Sequence, residues 1–129
     1  MTISRLVAAL LTVLSLVVSP AYADDAPAGD GQTIQATVTG YATGSDGGAV
    51  GGTTATGTAC HWGTVAADWR LYPPGTRLHI EGFPNDVFTV EDSGGEVRGN
   101  LFDVWFPDLA TAVAFGTKSL RVTVLAPSP

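Results

Sequence analysis

The chain has 129 residues, with six Lys and Arg against twelve Asp and Glu, and a formal net charge of −6 at pH 7. A chain of this size fits one compact domain, and its acidity disfavours nucleic acid and anionic lipid as partners. A single cysteine excludes an internal disulfide, and two histidines make a structural zinc site improbable. We therefore expect no metal and no cofactor.

The first 23 residues have the pattern of a signal peptide. Arg5 precedes an apolar run, Leu6 to Val18, and the segment 21–23 (AYA) is a small-x-small cleavage motif. The run is shorter than the roughly 20 residues that cross a bilayer, which favours cleavage before Asp24 over a retained anchor. We predict a secreted protein, extracellular or periplasmic, without a membrane span after cleavage.

The remaining chain predicts a flexible leader over 24–32 and one mainly β domain over 33–126. The leader is small, polar and charged. In the domain, short runs with apolar residues at every second position are separated by Gly- and Pro-rich turns. Strands are predicted at 33–41, 53–60, 63–67, 77–81, 87–91, 101–106 and 118–125, a loop at 44–52, and a helix at 108–115. This pattern favours a small β-barrel or sandwich.

The run 101–106 places an aspartate among apolar residues. Phe102 and Val104 share one face, and Asp103 and Trp105 share the other. Such a carboxyl is costly unless it faces a cleft or keeps its proton. A neighbouring indole and a second carboxylate would raise its pKa, as a general acid for glycosidic cleavage requires. The spacing alone equally allows Asp103 to be a solvated residue between core positions.

Asp68 and Asp92 fall at predicted strand ends, where aspartates commonly cap turns. Asp92-Ser93-Gly94 also resembles the D-S/T-G motif of aspartic proteases. That site needs two such motifs, and Trp69 follows Asp68, which disfavours a protease. Cys60 is predicted to be a buried, unreactive thiol, because its neighbour His61 would point to the opposite face of a strand.

Several segments, in this order, resemble the 3D domain, a family named for three aspartates and similar to the C-terminal part of the lytic transglycosylase MltA. They are TGT (56–58), GTVAAD (63–68), PPGT (73–76), LHIEG (78–82), VEDSGGEVRGNLFDVWF (90–106) and AVAFG (112–116). The resemblance runs from about Val38 to Leu125, and the spacing from Asp92 to Asp103 is its most specific part. Ser93 stands where the family usually has Thr, and Arg98 where it often has Lys.

The resemblance implies a six-stranded double-psi β-barrel with one short helix, and with Asp68, Asp92 and Asp103 at one groove. It implies a peptidoglycan lytic transglycosylase that acts on the β-1,4 bond between MurNAc and GlcNAc. Asp103 would be the acid that protonates the glycosidic oxygen and then, as a base, helps the sugar's own C6 hydroxyl close a 1,6-anhydro ring. Asp92 would raise the pKa of Asp103, and Asp68 would support the same network.

Peptidoglycan glycan strands are the expected partner, and Tyr41, Thr58, Ser93 and Trp105 are candidate sugar contacts. A barrel Tyr or Trp more commonly serves packing, so each could also be a core or rim residue. The enzymes that this family resembles carry an additional domain that completes the sugar groove. A non-catalytic module that binds or loosens wall glycan therefore stays open as an alternative, and a short barrel also allows a homodimer.

Overall fold

The computed structural model describes residues 28–43 and 52–126. The predicted signal peptide, residues 24–27 of the leader and nearly all of the glycine-dense loop lie outside these ranges. The described elements are β1 (Thr33–Tyr41), β2 (Thr64–Ala66), β3 (Arg77–Ile80), β4 (Phe88–Asp92), β5 (Leu101–Trp105), α1 (Leu109–Phe115) and β6 (Lys118–Val124).

The six strands close into a barrel in the order β1-β5-β2-β4-β3-β6. Two pairs, β1 with β5 and β2 with β4, are parallel, and the other pairs are antiparallel. Each parallel pair joins strands that are not consecutive in the chain. Within the described ranges the barrel and its one short helix confirm the predicted fold class, and the double-psi connectivity stays a prediction of the resemblance.

The barrel interior is filled by the apolar residues that alternate along the strands. Fully buried side chains come from all six strands: Val38, Val65, Leu78, Phe88, Val90, Phe102, Val104 and Val122. Because successive side chains of a strand point to opposite faces, residues between these positions face the outside of the barrel. Asp103, between Phe102 and Val104, is one of them.

The strand predicted at 53–60 is wrong. These residues form a turn, which we call the threonine turn (residues 53–59), closed by an isolated bridge between Thr53 and Ala59. Gly57 has a φ of 90° inside the turn, and the Thr54 hydroxyl bonds that of Thr58 at 2.7 Å. Threonine favours strands, but here the hydroxyls form local hydrogen bonds that compete with strand pairing.

The helix α1 lies against β1 after the chain leaves β5. It begins one residue later than predicted, because Asp108 is its N-cap and accepts a 2.8 Å hydrogen bond from the Thr111 amide. Gly116 caps the C-terminal end with a φ of 70°. No helix in the ranges 28–43 and 52–126 combines the length and apolar character needed to cross a bilayer.

Candidate active site

Two aspartates flank one small residue on the outer surface of the barrel. Ala66 of β2 is the register partner of Asp103 on β5 and of Asp92 on β4. Neighbouring strands lie about 4.8 Å apart, so the two aspartates stand on either side of β2, roughly 10 Å apart at the backbone. Ala66 itself is buried, with 3% of its surface exposed.

A β-bulge places Asp92 in this position. Val65 pairs with Val90, but the next residue, Ala66, pairs with Asp92, so Glu91 is an extra residue in β4. Regular alternation after the buried Val90 would turn Asp92 towards the barrel interior. The bulge re-aims it to the outer face, where Asp103 also lies. Sequence alternation does not reveal this bulge.

Asp103 has a carboxyl group whose pKa is raised. Partial burial raises the pKa of Asp103, and the negative charge of Asp92 raises it further, while a hydrogen bond from Thr39 acts in the opposite direction. Thr39 is its direct register partner on β1, and its hydroxyl donates to Oδ1 of Asp103 at 2.8 Å. The sequence predicted two causes of a raised pKa at Asp103, the Trp105 indole and a second carboxylate. The second cause is confirmed, since the charge of Asp92 raises the pKa of Asp103.

Asp92 is held by three donors. Its Oδ2 accepts from the Tyr41 hydroxyl at 2.8 Å, and its Oδ1 accepts from the backbone amides of Ala55 at 2.9 Å and Ser93 at 3.0 Å. These donors fix the orientation of the Asp92 carboxyl group beside Asp103.

Tyr41 has a positioning part in this arrangement. Burial, followed by the hydrogen bond to Asp92 and the negative charge of that carboxylate, raises the pKa of Tyr41 well above its usual value. The phenol therefore keeps its proton and acts as a donor. Its hydroxyl contacts the protein rather than an open groove, although sequence reasoning proposed it as a sugar contact.

Asp68 has a different set of partners from this pair. Its side chain is 1% exposed, and its oxygens accept from Arg70 Nε at 3.1 Å, Arg70 Nη2 at 2.8 Å and the Gly99 amide at 3.0 Å. The Arg70 guanidinium and then the Gly99 amide hold the pKa of Asp68 far below its usual range. Asp68 thus stays ionised and fastens the segment 93–100 to the end of β2.

The link from Asp68 to the pair runs through its neighbours in the chain. The Ala67 amide and Trp69 Nε1 both donate to the backbone carbonyl of Asp92, at 3.2 Å and 2.9 Å. Asp68 anchors the turn that presents these donors, because its own carbonyl accepts from the Leu71 and Tyr72 amides. Its contribution to the site is therefore to position Asp92.

The threonine turn forms the rim above Asp92. Thr56 donates to the Glu91 carbonyl at 2.8 Å, so the turn is fastened to the bulge itself. Thr58 is exposed and its hydroxyl pairs with the buried Thr54. Thr58 and the exposed Ser93 are the predicted sugar contacts that remain accessible.

Trp105 does not present a ring to the groove. It is 2% exposed and its Nε1 donates to Thr43 Oγ1 at 2.8 Å, so its ring is packed within the protein. Stacking of a sugar on this residue is not available in this structure. The partly exposed indole beside Asp92 is Trp69, which sequence reasoning missed, as it missed Thr39.

Cys60 is buried, as predicted. Its pKa is raised chiefly by burial and further by the charges of Asp92 and Glu91, against a hydrogen bond with Thr43. The thiol is therefore held in its less nucleophilic form. Over the ranges that the structure describes, no group of three His, Cys, Asp or Glu side chains could hold a metal ion.

Residues 63–126 match the model of the 3D domain. This segment, just under half of the chain, contains Asp68, Asp92 and Asp103, and it is similar to the 3D domain family. The predicted resemblance is confirmed.

Two curated relatives come from Bacillus subtilis (strain 168). The cell wall-binding protein YocH is 34% identical over 96 residues, which are 71% of this chain and 32% of YocH. YabE, named for cell wall shaping, is 31% identical over 61 residues, which are 47% of this chain and 14% of YabE. The chain thus spans a third or less of the length of either relative.

Among solved structures, the chain is similar to the lytic transglycosylase MltA from Escherichia coli. The TM-score is 0.50 at 24% identity, over 60% of this chain and 28% of MltA. A likeness at this identity concerns the fold. It agrees with the predicted similarity to one part of that enzyme.

Proposed function

We propose that this protein is a secreted peptidoglycan lytic transglycosylase of the cell envelope, with Asp103 as its general acid. One observation carries the proposal: Asp103 is a partly buried carboxyl of raised pKa, close to the Asp92 carboxylate, on an outer face of the barrel. The wall-related names of YocH and YabE support the substrate class. The signal-peptide pattern of residues 1–23 supports export.

In the proposed reaction Asp103 gives its proton to the glycosidic oxygen, and the bond from C1 of MurNAc to that oxygen breaks. The C6 hydroxyl of the same MurNAc attacks C1, and its proton passes to the Asp103 carboxylate. GlcNAc leaves with a free 4-hydroxyl, and MurNAc leaves as a 1,6-anhydro sugar. Because the nucleophile belongs to the substrate, no second protein carboxylate has to flank the bond as in ordinary glycosidases.

The two charges of the site have separate roles in this proposal. Asp92 keeps the pKa of Asp103 raised and is itself positioned by Tyr41. Asp68 keeps the backbone of Asp92 in place through the turn at Ala67 and Trp69. Thr58 and Ser93 are proposed sugar contacts at the rim.

The test is to digest purified glycan strands with the protein and to weigh the soluble products. Anhydro-muropeptides, lighter by one water than hydrolysis products, are expected. Asp103→Asn should lose this activity while it keeps the native circular dichroism spectrum. Asp30→Asn, at an exposed turn outside the site, is the matched control and should stay active. Reducing-end products, or a folded and fully active Asp103→Asn protein, would contradict the proposal.

A second candidate function is a non-catalytic module that binds or loosens wall glycan. It is favoured by the relative YocH, which is named as a cell wall-binding protein. The discriminating experiment is a pull-down on insoluble wall beside the digestion assay. Binding without any soluble product would favour the module over the enzyme.

A further inference from the structure

A depression of about 300 Å³ adjoins the aspartate pair on the side of Asp92. Ser93, the residue after Asp92, forms part of its wall. The other lining residues are Ala67, Asp68, Trp69, Arg70 and Arg98. The depression therefore borders the backbone of Asp92, because Ser93 follows Asp92 in the chain and Trp69 bonds the Asp92 carbonyl.

Two arginines border this depression in a chain that has six basic residues against twelve acidic ones. Arg98 is exposed, and none of the described hydrogen bonds or ion pairs involves its side chain. Arg70 is 74% exposed and uses its Nε and Nη2 to hold Asp68. That leaves Nη1, at the other end of the guanidinium, available to a second acceptor.

The wall is ordered in advance of any ligand. Trp69 is fixed by its bond to the Asp92 carbonyl, and the Arg70 guanidinium is oriented by the buried Asp68. An arginine that is already oriented loses less conformational entropy when it accepts a ligand. The carboxylate oxygens of Asp92 and Asp68 already accept hydrogen bonds from other donors.

We propose that this depression is a subsite for a carboxylate group carried by the glycan. Arg98 and the outer end of Arg70 would bind the carboxylate, and the Ser93 hydroxyl would donate to it. The inference rests on the proposed function, since it deepens the choice of substrate. A glycan built only of neutral N-acetylated sugars gives these arginines nothing to bind, whereas a muramic sugar carries a lactyl carboxyl group.

The carboxylate has two sources in wall glycan. In strands stripped of peptide, the lactyl group itself is the free acid. In strands that keep their peptides, the lactyl carboxyl is an amide and the carboxylates belong to the peptide. Chito-oligosaccharides of equal length carry neither, and they serve as the uncharged reference ligand.

The experiment measures binding of these three ligands by the Asp103→Asn protein, which removes turnover from the measurement. We expect at least one carboxylate-bearing strand to bind about fivefold tighter than the chito-oligosaccharide, in keeping with one exposed ion pair. The strand that binds more tightly than the chito-oligosaccharide shows which carboxylate is recognised, that of the lactyl group or that of the peptide. The advantage should shrink as salt rises.

Variants at Arg98 give the decisive comparison. Arg98→Gln should remove most of the advantage, and Arg98→Glu should reverse it, while chito-oligosaccharide binding stays the same for Arg98→Gln. Lys118→Gln, an exposed lysine at the start of β6, removes the same charge and should leave the advantage intact. Equal binding of all three ligands, or equal losses in the Arg98→Gln and Lys118→Gln proteins, would overturn the subsite.

The binding test of the subsite and the product test of the proposed function can fail independently. If strands are cut to anhydro products but the three ligands bind equally, the subsite is wrong and the enzyme stands. If no product forms but carboxylate-bearing strands bind tighter through Arg98, the subsite stands and the protein is a binding module.

Discussion

The hydroxyl of Tyr41, on β1, donates a 2.8 Å hydrogen bond to Oδ2 of Asp92, at the end of β4. In the barrel order β5 and β2 lie between these two strands, so the tyrosine reaches across the outer face that carries Asp103. The Tyr41 side chain therefore links β1, which pairs with the strand of Asp103, to the Asp92 carboxylate, which raises the pKa of Asp103.

Tyr41→Phe should reduce cleavage about tenfold, equivalent to about 1.4 kcal/mol of transition-state stabilisation, because Asp92 loses its side-chain donor. The free energy of unfolding should also fall by about 1–2 kcal/mol, measured by urea denaturation. Tyr72→Phe is the matched control. The Tyr72 hydroxyl bonds Asn100 and the Ala28 amide, away from the aspartates, so this variant should lose stability and keep its activity. Equal activity losses in the two variants would reduce Tyr41 to a purely structural residue.

The alkaline limb of the pH–activity profile should report the pKa of Asp103, because only the protonated acid can start the reaction. Thr39→Val removes a donor that stabilises the carboxylate, so the pKa of Asp103 rises and the limb moves to higher pH. Asp92→Asn removes a like charge, so the pKa falls and the limb moves to lower pH. Rates of glycan digestion measured across pH would show the two shifts. Movement in the same direction in both variants would contradict the assignment of Asp103 as the acid.

Asp68→Asn should destabilise the protein at neutral pH and make its stability less sensitive to acid. The folded-state pKa of Asp68 is lowered below the unfolded value of about 3.9. The ionised group therefore stabilises the fold above about pH 4, and this contribution is lost as pH falls through the folded-state pKa. Thermal unfolding followed from pH 7 down to pH 2 should give a lower Tm for the variant at neutral pH and a smaller decline on acidification. A Tm decline parallel to that of the native protein would exclude Asp68 as a source of the acid sensitivity.

Gly40→Ala should destabilise the barrel at its contact with α1 by about 1–3 kcal/mol. A Cβ at Gly40 would lie 2.8 Å from Phe106 Cε2 and 3.2 Å from the Ala112 carbonyl oxygen, closer than van der Waals contact allows. Gly95→Ala is the control, since a Cβ there meets no atom within 4 Å. Urea midpoints of the two variants give the comparison, and an unchanged midpoint for Gly40→Ala would mean that α1 shifts freely away from β1.

The local pattern of apolar residues predicted most of the barrel. β1 has the predicted bounds, β3, β5 and β6 each end one residue earlier than predicted, and β4 is shifted by one residue at both ends. The pattern failed at residues 53–60, where threonine content resembles a strand but the hydroxyls bond one another. The threonine content of these residues favours a strand. Their hydroxyls instead form hydrogen bonds within the turn, in place of strand pairing.

The candidate site was only partly predictable. Asp103 could be located because a charge in an apolar strand is costly, and Asp92 and Asp68 came from the family spacing. Nothing in the sequence indicated that Thr39 would be the partner of Asp103, since 64 residues of chain separate them. The bulge at Glu91 and the burial of Trp105 were likewise not evident.

Taken alone, the sequence determined which face of its strand a residue occupies wherever the alternation is regular, because side chains alternate with a period of two along an extended chain. Asp92 is the exception, since the bulge at Glu91 changes its face. Only the tertiary structure decided what lies opposite each residue. Strand pairing joins distant segments, and that pairing separated the three aspartates into a coupled pair, Asp92 with Asp103, and an ion-paired anchor, Asp68.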